Sequence, residues 1–136
     1  MDLVKSMMIA ASGMRAQSGR MRVLAENIAN SQSTATVPGE DPYRRQIVTF
    51  RSELDRELGA NVVRVGKPIQ DQSDFELKYM PGHPAADENG YVQMPNVNGL
   101  VEAMDMKEAQ RSYEANLNMI QVSRRMLSQT IELLRR

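Results

Sequence analysis

Three groups of residues in this 136-residue chain have types and spacings that invite chemistry. The first is the lone histidine, His83, followed by Asp87 and Glu88. An imidazole beside two carboxylates would suit a small metal- or phosphate-dependent reaction, with the histidine as ligand or base. His83, however, lies between Gly82 and Pro84, in a turn where a solvated or backbone-bonded ring is the expected state. Asp87 and Glu88 point apart if that segment is extended, and no second ligand cluster joins them. The second group is Gly13 and Gly19, six apart inside a helical pattern. A phosphate loop needs a strand before its glycines and a helix after them, so close packing or local bending is the better reading. The third group is basic. Lys5, Arg15, Arg20 and Arg22, opposed by Asp2 and Glu26, read as a solvated helix face. Arg44 and Arg45, just after Tyr43, form a sharper pair that can bridge to acidic groups of a neighbouring subunit or face solvent. No catalytic residue, cofactor or metal site is expected, and the chain does not read as an enzyme.

The totals narrow the field further. Lys and Arg number 17, as do Asp and Glu, so the formal charge is zero and no polyanionic or polycationic partner, nucleic acid included, is indicated; no small-molecule substrate is expected. Cysteine is absent, which removes disulfides and thiolate chemistry. The apolar run from Met7 to Ala11 is five residues long. A secretory core needs about 7 to 15 and a spanning helix about 20, so the run is expected to be mature helix. A protein of this kind working outside the cytoplasm would be exported without a cleaved signal peptide. Methionine is abundant at 11 and aromatics scarce at 4%. Flexible thioethers fill irregular gaps, which suits a surface packed against several non-identical neighbours as well as an ordinary helical core.

Two segments carry helical periodicity. From Leu3 to Ala29 there is no proline, and Met7, Met14, Met21 and Ile28 alternate with Leu3, Ala10, Gln17 and Leu24 at heptad a and d spacing. Gln17 is the polar exception, of the kind that fixes register at a cost in stability. Asp2 is placed to cap this helix, which should end near Asn30. From about Leu100 to Leu134, Met106, Tyr113, Ile120, Leu127 and Leu134 recur every seventh residue. Their companion row, Ala109, Asn116, Ser123 and Thr130, is small or polar and favours close helix approach, while Leu117 and Ile131 widen the apolar face. Asn98 or Gly99 can cap the start, and Arg135 with Arg136 complement the negative helix end. At about 1.5 Å per residue the helices would span roughly 40 and 50 Å. They carry more apolar stripe than one antiparallel contact covers, and the surplus should face another chain.

Between them, Ser31 to Pro42 is a polar loop broken by prolines. Arg44 to Phe50, Asn61 to Val65, Phe75 to Tyr79 and Tyr91 to Met94 read as short strands. Ser52 to Leu58 reads as a helical turn or charged loop. Pro81 to Pro84 and Asp87 to Gly90 read as turns. The expected fold class is therefore mainly α with a small β-rich insert. Long N- and C-terminal helices (1–30 and 98–136) pair as a coiled coil around a 31–97 middle segment of short strands and loops, in one structural unit.

The stretch from Ala11 to Thr34, above all Asn27-Ile28-Ala29-Asn30, closely resembles the N-terminal signature of flagellar axial proteins of the rod and hook class. Tyr43-Arg44-Arg45-Gln46, Pro81-Gly82-His83-Pro84, Gly90-Tyr91-Val92, Pro95-Asn96-Val97-Asn98 and Arg111-Ser112-Tyr113-Glu114-Ala115-Asn116 resemble the C-subunit branch of the proximal rod proteins. The resemblance runs through nearly the whole chain, departing at Arg22 and in the Ser31 to Pro42 loop. It implies a structural subunit of the bacterial flagellar basal body that leaves through the type III export channel, assembles helically in the rod across the periplasm and transmits torque. The implied partners are other copies of itself, other rod proteins, and the membrane-ring and export-gate proteins at the rod base. Asn27 and Asn30 are expected to end the first helix and bond loop backbone, since asparagine tolerates the left-handed conformation. The assembly interface would draw on the stripe residues named above, with Leu24, Asn27, Ile28 and Asn30 at the end of the first helix. The competing reading is a helical adaptor or export chaperone that binds a partner helix in its methionine-rich groove.

Overall fold

A computed structural model describes residues 2–135. Its first element, α1, runs Leu3–Ala29, and its last, α2, runs Gly99–Leu134. Both helices begin on the expected caps. Asp2 Oδ1 accepts the backbone N–H groups of Val4 and Lys5 at 3.1 and 3.2 Å. Asn98 Oδ1 accepts those of Leu100 and Val101 at 3.1 and 3.4 Å. These side chains satisfy donors that no preceding turn can reach. Arg135 follows the last turn of α2, its N–H bonded to the Ile131 carbonyl at 3.2 Å; Arg136, named with it as a helix-end charge, lies outside the described residues.

α1 ends next to Asn30 as expected, and Asn27 bonds loop backbone at Gln46, but the expected left-handed cap is not used. Among the described residues no non-glycine residue has positive φ, so neither Asn27 nor Asn30 takes the left-handed cap. The helix tightens instead: Ser31 N–H bonds the Ile28 carbonyl at 3.2 Å, and the Asn30 side-chain amide donates to the Glu26 carbonyl at 2.8 Å. Side-chain and short-range bonds thus satisfy the carbonyls that a left-handed residue would otherwise reach.

The middle segment holds three separate antiparallel ribbons: β1 (Gln46–Ile47) with β4 (Ile69–Gln70), β2 (Phe50–Asp55) with β3 (Ala60–Val65), and β5 (Glu76–Tyr79) with β6 (Tyr91–Met94). Ser52 to Leu58 is therefore not a helical turn. Its first part continues β2, in register from Phe50 against Val65 to Asp55 against Ala60. The charges of β2 are tolerated because that strand stays solvated, leaving the valines of β3 to supply the pairing propensity. The reversal is set by Asp55 Oδ1, which accepts the N–H groups of Glu57 and Leu58, and by Gly59 at φ 58°, a conformation that a Cβ disfavours. The expected strand from Arg44 to Phe50 is interrupted, because Arg45 spends its own N–H on the Asn96 side chain at 2.7 Å and only Gln46 and Ile47 pair with β4.

The chain forms two compact units. The first comprises Met1–Met21, Thr49–Gly66 and Lys107–Arg136; the second comprises Arg22–Val48 and Lys67–Met106. In the first, Ala10, Ser12, Ala16, Val62, Ala109 and Ser123 are buried, so small residues form the core. In the second, Val23, Leu24 and Val92 are buried with two polar side chains, Asn27 and Glu102. Val92 is fully covered within the β5–β6 ribbon, and the facing Tyr79 and Tyr91 rings meet edge to face, 5.3 Å between centroids.

Candidate functional site: the helix seam and its uncovered faces

In the second unit a polar lock holds the end of α1 to the chain that follows it and to the start of α2. Asn27, fully buried, donates to the Gln46 carbonyl at 2.8 Å and to Glu102 Oε2 at 2.9 Å. Its Oδ1 accepts the Tyr43 hydroxyl at 2.9 Å and the Gln46 N–H at 3.0 Å. Two donors and two lone pairs are the whole capacity of an amide, and all are used. Glu102 is equally buried and accepts Arg45 Nε at 2.6 Å. Arg45 also reaches Asp71 at 3.4 Å. Burial alone would lower the Arg45 pKa, but the hydrogen bond and charge of Glu102, followed by those of Asp71, outweigh it and hold the guanidinium more firmly charged. Burial, then the charges of Glu26 and Glu102, push the Tyr43 phenol up. Ser73, through its backbone N–H and its hydroxyl, together with Arg45 holds the Asp71 carboxyl below its ordinary value.

The arginine pair is thus turned inward. Arg44 lies 4.2 Å over the Phe75 ring and 3.7 Å from Asp41, while Arg45 is bound as described, so neither matches the solvent-facing or neighbour-bridging expectation. His83 is a turn residue: its Nδ1 accepts the Ala85 N–H at 3.1 Å and its Nε2 pairs with Thr34 Oγ1 at 3.0 Å. Asp87 closes the next turn, its Oδ1 accepting the N–H groups of Asn89 and Tyr91. Among the described residues no group of three or more His, Asp or Glu could hold a metal ion, and no helix is long and apolar enough to cross a membrane.

In the first unit the helices approach along small residues. A Cβ on Gly13 would stand 2.8 Å from Asn116 Nδ2, and Arg20 meets Glu108 at 3.7 Å. Numbers rise along α1 as they fall along α2, so the helices run in opposite directions here. Ala109 and Ser123 are buried and Asn116 is half-buried, whereas Thr130 of the same row is exposed. Ser12 ties α1 to the β2–β3 ribbon: its hydroxyl accepts the Val63 N–H at 3.2 Å and donates to the Ile9 carbonyl at 2.7 Å. Gln17, the polar member of the first stripe, has a buried Oε1 with no hydrogen-bond partner among the described residues.

Apart from the buried Leu24 and Asn27, the remaining stripe residues lie at the surface or on its edge. Met7, Met14, Met21, Met106, Tyr113, Ile120 and Leu127 are half-buried, as are Gln17 and Asn30. Leu24 is buried like Asn27; Ile28, Leu117, Ile131 and Leu134 are exposed, Leu134 at 82%. Met14, Tyr113 and Ile120 line an open apolar groove of about 490 Å³ together with Ala11, Arg15 and Ser18. Sequence reasoning missed Glu102, although it stands seven residues before Ala109 in the row that continues to Asn116 and Ser123. Leu100, Met104, Met119, Val122, Met126 and Leu133 are also exposed, outside the seven-residue rows that the sequence marks.

Residues 88–133, the second strand of the β5–β6 ribbon and nearly all of α2, match the family described as flagellar basal body rod FlgEFG protein C-terminal. That places the chain in a class of structural proteins of the flagellar axis, which is not an enzyme class. Over 127 residues it is 54% identical to the flagellar basal-body rod protein FlgC of Agrobacterium fabrum, covering 93% of this chain and 91% of the relative. It is 38% identical to the FlgC protein of Salmonella typhimurium, covering 98% of both, and 37% identical to that of Bacillus subtilis, covering 98% and 99%. The chain belongs to the flagellar basal-body rod protein FlgC family.

Proposed function

We propose that this protein is a building block of the proximal rod, assembling helically with copies of itself and with other rod proteins to pass torque along the rod. The observation that carries the reading is the unpaired apolar surface of α1 and α2 in a chain whose relatives are rod proteins. Burying a large apolar side chain contributes about 1.5–3 kcal/mol, and a neighbour's helix seated in the groove at Met14, Tyr113 and Ile120 would collect several such terms.

The terminal helices pair as an antiparallel coiled coil. Supporting this, Gly13, Arg20 and Asn27 are spaced by seven on α1 and meet Asn116, Glu108 and Glu102 on α2. The stripe residues then divide: Leu24, Asn27 and Asn116 serve the chain's own seam, while Ile28, Leu117, Ile131 and Leu134 face other subunits. The protein crosses the periplasm within the rod, having been exported without a cleaved signal peptide, and at the rod base it adjoins membrane-ring and export-gate proteins.

Replacing Ile120 or Met21 with Asp places a charge in these contacts. Each variant is expected to be absent from isolated basal bodies and to abolish swimming. Normal motility in both would overturn the proposal. An export chaperone would instead remain in the cytoplasm as a stable complex with its cargo.

A further inference from the structure

A formal charge of zero conceals a partition. Among the described residues the first unit carries eleven lysines and arginines against seven aspartates and glutamates, a formal +4. The second carries five against ten, a formal −5. Part of the second unit's acid is consumed internally, Glu102 and Asp71 by Arg45 and Asp41 by Arg44. What remains outward includes Asp74 and Glu76 at the start of β5, and Asp87 and Glu88 in the turn before β6, all exposed, against the exposed Lys78 of β5. In the first unit Arg124, Arg125 and Arg135 stand exposed on and just beyond the C-terminal half of α2, against Glu132. Among the described residues neither Arg124 and Arg125 nor Asp74 and Glu76 make an intrachain ion pair.

Each charged region also presents apolar surface. Met126, Ile131 and Leu133 are 49 to 73% exposed around the same stretch of α2, and Leu77 and Tyr79 are 61 and 62% exposed on the face of β5 opposite Glu76 and Lys78. Two exposed surfaces of opposite charge are the electrostatic composition of a complementary pair of docking faces.

We propose that the arginine-bearing end of α2 of one copy docks against the acidic β5–β6 ribbon of the next copy. This inference rests on the reading that copies of the chain pack together, and it specifies which faces meet. Every copy carries one face of each sign, so the contact is heterologous and extends into a helix unless it closes into a ring. The charges make the contact sensitive to salt.

The test uses the purified full-length chain in sedimentation velocity at about 0.05 M and about 0.5 M salt. Wild-type chain is expected to form assemblies larger than dimers at low salt and to lose them at high salt. Arg124→Glu/Arg125→Glu and Asp74→Lys/Glu76→Lys should each weaken self-association at least about tenfold, because each makes both faces of a copy alike in sign. An equimolar mixture of the two variants should restore assembly, since opposite faces then meet between different copies. The four positions are exposed and unpaired, so the substitutions leave the fold intact, and circular dichroism identical to wild type checks this. The milder Arg124→Gln/Arg125→Gln should fall between wild type and the reversal. Assemblies indifferent to salt and to both reversals, assemblies that stop at dimers, or a mixture no better than its components would overturn the inference while leaving self-packing in place. A wild-type chain that stays monomeric at both salt concentrations would overturn both.

Discussion

Arg45 Nε lies 2.6 Å from Glu102 Oε1, across 57 residues of sequence, with 1% of the glutamate side chain exposed and 24% of the arginine's. Asn27 closes the other side of the carboxylate at 2.9 Å. The end of α1, the β1 region and the first turn of α2 are thereby joined through one charged oxygen pair. A buried ion pair of this kind is costly to break from one side only.

The two halves of the pair should therefore respond unequally. Arg45→Ala leaves a desolvated carboxylate with only the Asn27 amide, and a loss of about 3–5 kcal/mol is expected in urea unfolding of the purified chain. Glu102→Gln retains an acceptor for Arg45 and should cost about 1–2 kcal/mol. Equal losses would mean that the carboxylate is less enclosed than its burial indicates.

The same lock makes stability depend on pH at both extremes. Asp71 is depressed by Ser73 first and Arg45 next, so its contribution is complete above its ordinary value of 3.8 and disappears as pH falls through the lowered folded value. Tyr43 is raised by burial and by Glu26 and Glu102. Its contribution is complete below the ordinary 10.0 and is lost as pH rises through the folded value. Thermal midpoints across pH should therefore fall less steeply in acid for Asp71→Asn, and less steeply in alkali for Tyr43→Phe.

Small residues at the seam should resist enlargement. Gly13→Leu drives a side chain into Asn116, and Ala109→Leu fills a site with no exposed surface. Each is expected to destabilise by about 1–3 kcal/mol in denaturant titration. Gly13→Ala is the finer probe. Its helix propensity gains about 1 kcal/mol, while the Asn116 amide must leave the Ser112 carbonyl, so pairing it with Asn116→Ala should recover the gain.

Ser12→Ala deletes the acceptor for Val63 N–H at a buried point of α1. A loss of about 1–2 kcal/mol is expected, with faster hydrogen exchange at the Val63 amide than elsewhere in β3.

Local chemistry made much of this protein legible in its sequence. Asp2 and Asn98 cap where short polar side chains must, and seven-residue spacing placed both helices from end to end. The valines of Asn61 to Val65 announced a strand because branched side chains suit a pleated surface. The small row of Ala109, Asn116, Ser123 and Thr130 marked where a helix could approach closely, since periodicity reports which residues share a face, although Thr130 stays exposed. Periodicity does not report what that face meets, and the remaining features depended on groups far apart in the chain. Arg44 and Arg45 looked like surface charges until Phe75, Asp71 and Glu102 were brought beside them. Glu102 carried no mark in the sequence of the contacts with Asn27 and Arg45 that enclose it. Ser52 to Asp55 became strand only because β3 folded back to supply the hydrogen bonds. Charge shows the division most plainly: the sequence determines that 17 basic and 17 acidic side chains cancel, and only the tertiary structure decides which of them share a surface. Electrostatic energy depends on distance in space, which the order of residues along a chain does not specify.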